Sequence, residues 1–233
     1  MPSNSSSKSP TSESPATEAY RRAGLSVDQQ HALFTAARRL ADEFSGTFGA
    51  ETIDRYLHTS YDQFAGRATV PHFLPLLAER FARQRLHALA RVEGKDTGAT
   101  PIVLFLCVHN AGRSQMALGF FTHLAEDRAI GWSGGSEPGD QINPAAVQAM
   151  REAGIDITAE FPKPWTTEIA QAADVIVTMG CGDACPVFPG KRYLDWALDD
   201  PRGRDVAAVR PIRDEIEQRV RALLDDLKVP VRE

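Results

Sequence analysis

The apolar run Ile102-Val103-Leu104-Phe105-Leu106 ends in Cys107 and passes at once into Val108-His109-Asn110-Ala111-Gly112-Arg113-Ser114. The run reads as a buried strand, and the stretch after it as a tight loop that opens a helix near Ser114. In such a loop successive backbone N–H groups point inward, and the helix N-terminus adds partial positive charge. That field suits a tetrahedral oxyanion and also favours Cys107 as a nucleophilic thiolate. Arg113 can fork two hydrogen bonds to the anion. A structural cysteine at a strand end, with a solvent-facing arginine, would explain C-x5-R alone. It does not explain the strand before the loop, the Asn and Gly inside it and the helix after it.

Each loop residue has a reading of its own. Asn110 suits a left-handed turn, Gly112 lets backbone approach an anion closely, and Ser114 can donate to Cys107. His109 reads as a loop-surface side chain. With Ala111 and Arg113 they make up the candidate substrate loop, and Ser133, Gly134 and Ser136 are expected to buttress it.

Around this loop the chain divides into four parts. Residues 1–17 are mostly Ser, Pro, Thr and Asn and read as a disordered tail. Residues 18–91 carry three amphipathic helical patterns: one capped by Ser26, one holding Ile53, Tyr56, Leu57 and Phe64, and one starting near Pro71 with Leu74, Leu77, Phe81 and Leu86. So small a bundle is marginal alone and is expected to pack on a neighbour. Residues 92–100 form a polar linker. From 101 to 233, strand and helix signals alternate. The fold class is therefore α/β, a flavodoxin-like open sheet of about four parallel strands flanked by helices, preceded by a three-helix domain. Asn143-Pro144 caps a helix stopped by Gly154, and the last helix is expected from about Pro211 to Leu227.

Two further motifs fall at ends of strands. Met179-Gly180-Cys181-Gly182-Asp183-Ala184-Cys185-Pro186 follows the strand signal at 174–178, which places it on the same rim as Cys107. Gly180 and Gly182 make the segment pliable, so Cys181 and Cys185 can bond to each other after modest rearrangement. The pair also reads as half a zinc site, although no second Cys-His pair accompanies it. In Asp199-Asp200-Pro201 the proline restrains the backbone beside one carboxylate. Asp200 is the carboxylate so restrained, and Asp199 reads as a solvated turn residue.

Composition narrows the partners. A net charge of -5 argues against broad nucleic-acid binding. The three-helix region could still be a helix-turn-helix reader, since its third helix carries Arg80, Arg83 and Arg85. Glu79 and the apolar spacing favour a dimerisation or docking module instead, including a homodimer through these helices. No apolar run approaches membrane length, and Met-Pro-Ser-Asn-Ser lacks signal character, so the cytoplasm is the expected compartment. Three cysteines do not make a disulfide framework and read better as reactive thiols. No nicotinamide or flavin fingerprint is present, so no cofactor is expected.

Over residues 101–228 the loop resembles that of low-molecular-weight phosphatase-fold proteins and, within them, the arsenate reductases. The phosphatases usually place Pro after Arg-Ser, whereas this chain reads Arg113-Ser114-Gln115. The resemblance implies an arsenate reductase in which Cys107, Arg113, Cys181, Cys185 and Asp200 are catalytic, with Asp200 in the place of the family's general acid. It also implies a Cys181–Cys185 redox relay regenerated by thioredoxin; mycothiol or a glutaredoxin-type thiol is the alternative. A tyrosine phosphatase is the nearest rival, but Arg202-Gly203-Arg204 after Asp200-Pro201 supplies no aromatic wall. Some relatives bind potassium through an acidic residue where this chain has Leu118, so no metal site is expected.

Overall fold

The computed structural model describes residues 25–66, 73–180 and 187–232. The expected disordered tail, the helix start near Pro71, and Cys181 and Cys185 lie outside the described residues. Among the described residues three helices come first: α1 (Val27–Glu43), α2 (Ala50–Ala65) and α3 (Leu74–Val92). The rest runs β1 (Ile102–Cys107), α4 (Arg113–Ala125), β2 (Ile130–Gly135), α5 (Pro144–Glu152), α6 (Thr167–Ala172), β3 (Val175–Thr178), β4 (Arg192–Asp195) and α7 (Val206–Asp226), with a short 3-10 turn between α4 and β2. The four strands are all parallel, in the order β2-β1-β3-β4. Chain order reverses at β1, with β2 on one flank and β3 on the other. The carboxyl end of β1 is therefore the switch-point position where open α/β sheets bind ligands.

Every residue of β1 is buried, as a strand covered on both faces requires. Side-chain alternation then sorts its residues. Val103, Phe105 and Cys107 join the core built by α4, α5 and α7, including Met116, Phe121, Met150 and Ile216. Ile102, Leu104 and Leu106 face the other way, into a core shared with Leu33, Leu57, Phe81 and Leu86 of the first three helices and Ile169 of α6. The apolar stripes of α1–α3 are thus spent within the chain, against each other and against the sheet. Phe81 is fully buried at this seam, and truncating it to alanine would cost about 3–5 kcal/mol. The guanidinium of Arg85 on α3 bonds Glu168 of α6 at 2.6 Å across the same seam.

Side-chain caps mark three of the helix starts among the described residues. Ser26 forms a full capping box with Gln29. Asn143 accepts the N–H groups of Ala145 and Ala146, and Pro144 follows it. The last helix departs from expectation, because α7 starts at Val206, five residues before Pro211. Asp205 caps it by accepting the N–H of Ala208 at 2.9 Å, which places Pro211 inside the helix. Ala207 and Pro211 are both exposed, so water can replace the lost intrahelical bond. Arg80, Arg83 and Arg85, the basic residues that allowed a nucleic-acid reading, are all engaged by carboxylates of the same chain. Among the described residues, no helix is long and apolar enough to cross a membrane.

Candidate active site

Cys107 closes β1, buried, with its Sγ 3.0 Å from Ser114 Oγ in the first turn of α4. That hydroxyl oxygen accepts a 2.8 Å bond from Asn110 Nδ2, which leaves its single proton for the sulfur. Asn110 takes a left-handed backbone, φ 47°, as the sequence suggests, and is fully buried. Its Oδ1 accepts the backbone N–H of Lys163 at 2.9 Å and the Gln115 amide at 3.1 Å. These bonds hold a conformation that a non-glycine residue adopts at a cost of about 1 kcal/mol or more.

Two glycines fit the loop for steric reasons. A Cβ on Gly135, at the end of β2, would lie 2.6 Å from the Val108 carbonyl oxygen. A Cβ on Gly112 would lie 2.6 Å from Pro201 Cγ. The close neighbour of Gly112 is therefore Pro201, next to Asp200, a constraint that sequence reading did not supply.

Arg113 is buried beneath the pocket. Its Nη2 lies 3.3 Å from Asp200 Oδ2, and its Nη1 donates to Leu198 O at 3.4 Å. Asp200 is half exposed and also accepts the Arg202 N–H at 3.0 Å, which closes a turn around Pro201. Asp199 pairs instead with Arg204 at 3.1 Å and is 71% exposed. Asn143 ties the two loops together: its N–H donates to Ala111 O at 2.8 Å and its Nδ2 to Pro201 O at 3.0 Å. Sequence reading took Asn143 only as a helix cap, and its second role depends on tertiary contact.

The cleft over this floor has a volume of about 890 Å³ and is lined by Cys107, His109, Ala111, Gly112, Arg113 and Asp200, among others. At its rim the His109 ring lies 3.0 Å from Glu137 O through Nδ1 and 3.0 Å from Arg202 Nη1 through Nε2. The carbonyl can only accept and the guanidinium can only donate, so Nδ1 carries the proton. His109 is thus a tie on the rim. Among the described residues no group of three His, Cys, Asp or Glu is placed to hold a metal ion. Cys181 and Cys185 lie outside the described residues, but Gly180, just before them, has φ 75° and its Cβ position is 2.9 Å from Arg113 Nη1. Gly180, two residues beyond the end of β3, thus lies beside Arg113.

The parallel sheet carries at its switch point a C-x5-R loop whose Cys107 and Arg113 both line the cleft. The model of the low molecular weight phosphotyrosine protein phosphatase family matches residues 102–232, and the chain belongs to that family. A second model, the protein-tyrosine-phosphatase-like N-terminal domain, matches residues 33–90. The solved structure of the thioredoxin-dependent arsenate reductase Cg_ArsC1' of Corynebacterium glutamicum is similar over 85% of this chain and 97% of its own, with 44% identity and a TM-score of 0.76. A putative arsenate reductase of Halobacterium salinarum is 39% identical over 127 residues, 52% of this chain and 89% of its own length. The glutaredoxin arsenate reductase of Synechocystis is 34% identical over 125 residues, 52% of this chain and 95% of its own.

Proposed function

We propose that this chain is an arsenate reductase that works by a cysteine relay and is regenerated by thioredoxin. The observation that carries the reading is the convergence of Cys107, Arg113 and Asp200 on one cleft, with the Ser114 hydroxyl 3.0 Å from the Cys107 sulfur and Gly180, just before Cys181, beside Arg113. Arsenate sits on the loop N–H groups and the Arg113 fork, where its negative charge is matched. The Cys107 thiolate attacks arsenic, and Asp200 protonates the departing hydroxide, which leaves as water. The Cys181 thiolate then attacks Cys107 Sγ. The new S–S bond replaces the S–As bond, whose electron pair stays on arsenic, so As(V) leaves as As(III) arsenite. Cys185 attacks Cys181 in turn, freeing the Cys107 thiolate and leaving a Cys181–Cys185 disulfide. A thioredoxin dithiol supplies the two electrons that reopen it.

Similarity to the thioredoxin-dependent enzyme over both parts of the chain supports this donor over a glutaredoxin or mycothiol route. The cytoplasm, where such reductants work, is the compartment this reading implies. Hydrolysis of phosphoesters is the rival activity of the family. Arg202 at the rim, bonded to His109, offers an aryl ester no ring to stack on. The deciding assay is arsenate-dependent NADPH oxidation with thioredoxin and its reductase, run beside p-nitrophenyl phosphate hydrolysis. Fast phosphoester turnover with no arsenate-dependent oxidation would overturn the reading.

A further inference from the structure

We infer that Arg80, on the N-terminal helix α3, is a positioning residue for the anion loop, and that the first three helices thereby tune oxyanion affinity. An unbroken series of contacts joins it to Cys107. Arg80 Nη1 donates to Ala159 O at 2.5 Å, and its Nη2 reaches Glu160 Oε1 at 3.5 Å. Its guanidinium also lies over the Phe161 ring, 4.9 Å from the centroid. Phe161 is further held by α2, since its ring meets Phe64 edge-on at 5.6 Å.

The segment held in this way serves the loop directly. Phe161 O accepts from Gln115 Nε2 at 3.1 Å, and the Gln115 amide in turn reaches Asn110 O at 3.0 Å. Two residues on, the Lys163 N–H donates to Asn110 Oδ1 at 2.9 Å. Asn110 sits in its left-handed conformation, and its Nδ2 orients the Ser114 hydroxyl that faces the Cys107 sulfur. An anion loop binds through N–H groups aimed at one point, so small changes in Asn110 alter affinity without unfolding anything. Segment 159–163 is gripped on its outer side by the helical region and on its inner side by the loop. Displacing the outer grip therefore relaxes the inner one.

Inorganic phosphate, measured by calorimetry on the full chain, reports loop geometry whether or not arsenate is the true substrate. This measurement rests on no proposed activity, and only a parallel KM for arsenate does. We expect Arg80→Met to weaken phosphate binding roughly three- to tenfold, with arsenate KM rising alongside and kcat holding. Arg80→Lys keeps the charge but loses the fork to Ala159 and Glu160, and it should weaken phosphate nearly as much. If Arg80→Lys binds phosphate like the parent while Arg80→Met does not, the effect is long-range charge and the inference fails. It also fails if both variants lower the melting temperature yet leave phosphate affinity and KM unchanged, because the seam is then only structural.

Discussion

Ser114 Oγ stands between Asn110 Nδ2 at 2.8 Å and Cys107 Sγ at 3.0 Å, receiving from one and left to give to the other. The hydroxyl converts the buried turn at Asn110 into a directed hydrogen bond on the nucleophile. Ser114→Ala removes that donor and strands the Asn110 amide. The expected result is a loss of about a hundredfold in kcat for arsenate, with phosphate affinity changed far less. Steady-state kinetics beside phosphate titration checks this, and a KM effect alone would contradict it.

Asp200 and Asp199 are adjacent but differently employed. Asp200 reaches the Arg113 guanidinium inside the cleft, whereas Asp199 points outward to Arg204. Asp200→Asn keeps the shape and removes the proton donor, so kcat should fall by about 10²–10⁴. Asp199→Asn should stay near the parent. Equal losses in the two variants would show that the acid has been misassigned.

Gly112 allows the Asp200-Pro201 loop to lie on the loop that follows Cys107. With a Cβ placed 2.6 Å from Pro201 Cγ, Gly112→Ala must push the proline and Asp200 away. We expect a destabilisation of about 1–3 kcal/mol, seen in urea melts. Activity should fall further than the folded fraction explains, because the acid moves with its loop.

What is legible in the sequence is what local chemistry dictates. The order of elements, the Asn110 turn, the Ser26 and Asn143 caps and the Cys107 loop each follow from a few neighbouring residues. Less legible is whatever depends on which faces meet. The apolar stripes of α1–α3 announce a partner without naming it, and the partner proves to be the even-numbered face of β1. Gln115 and Lys163 give no signal of their tie to Asn110, because both act across tertiary contacts. Pro211 misleads because proline favours helix starts, whereas Asp205 caps this helix earlier.

Glu152 of α5 takes a two-pronged bond from Arg210 of α7 at 2.7 and 2.9 Å. Those hydrogen bonds hold its carboxyl down to about 2 from an ordinary 4.5. Because the folded value is depressed, the stabilisation is complete above the unfolded value and fades as pH falls toward 2. Glu152→Gln should therefore lower the melting temperature at pH 7, and the gap from the parent should close between about pH 5 and pH 2. Thermal melts across that range check the sign, and a gap that widens in acid would contradict it.

The relay makes its sharpest demand on Cys185. In the proposed sequence Cys181 takes the oxidation from Cys107, and Cys185 then releases Cys107 by attacking Cys181. Cys185→Ser stops the sequence after its second bond exchange. One arsenite per chain should form, and a Cys107–Cys181 disulfide should accumulate, visible by mass spectrometry of peptides digested without reductant. Cys181→Ser should instead halt before arsenite leaves, so its burst disappears. Each variant loses one sulfur, at a different step of the sequence, and the two predict opposite burst amplitudes. That contrast is independent of any change in overall rate. If Cys185→Ser turns over repeatedly with thioredoxin, then thioredoxin reaches the Cys107–Cys181 bond directly, and the third thiol is no part of the cycle.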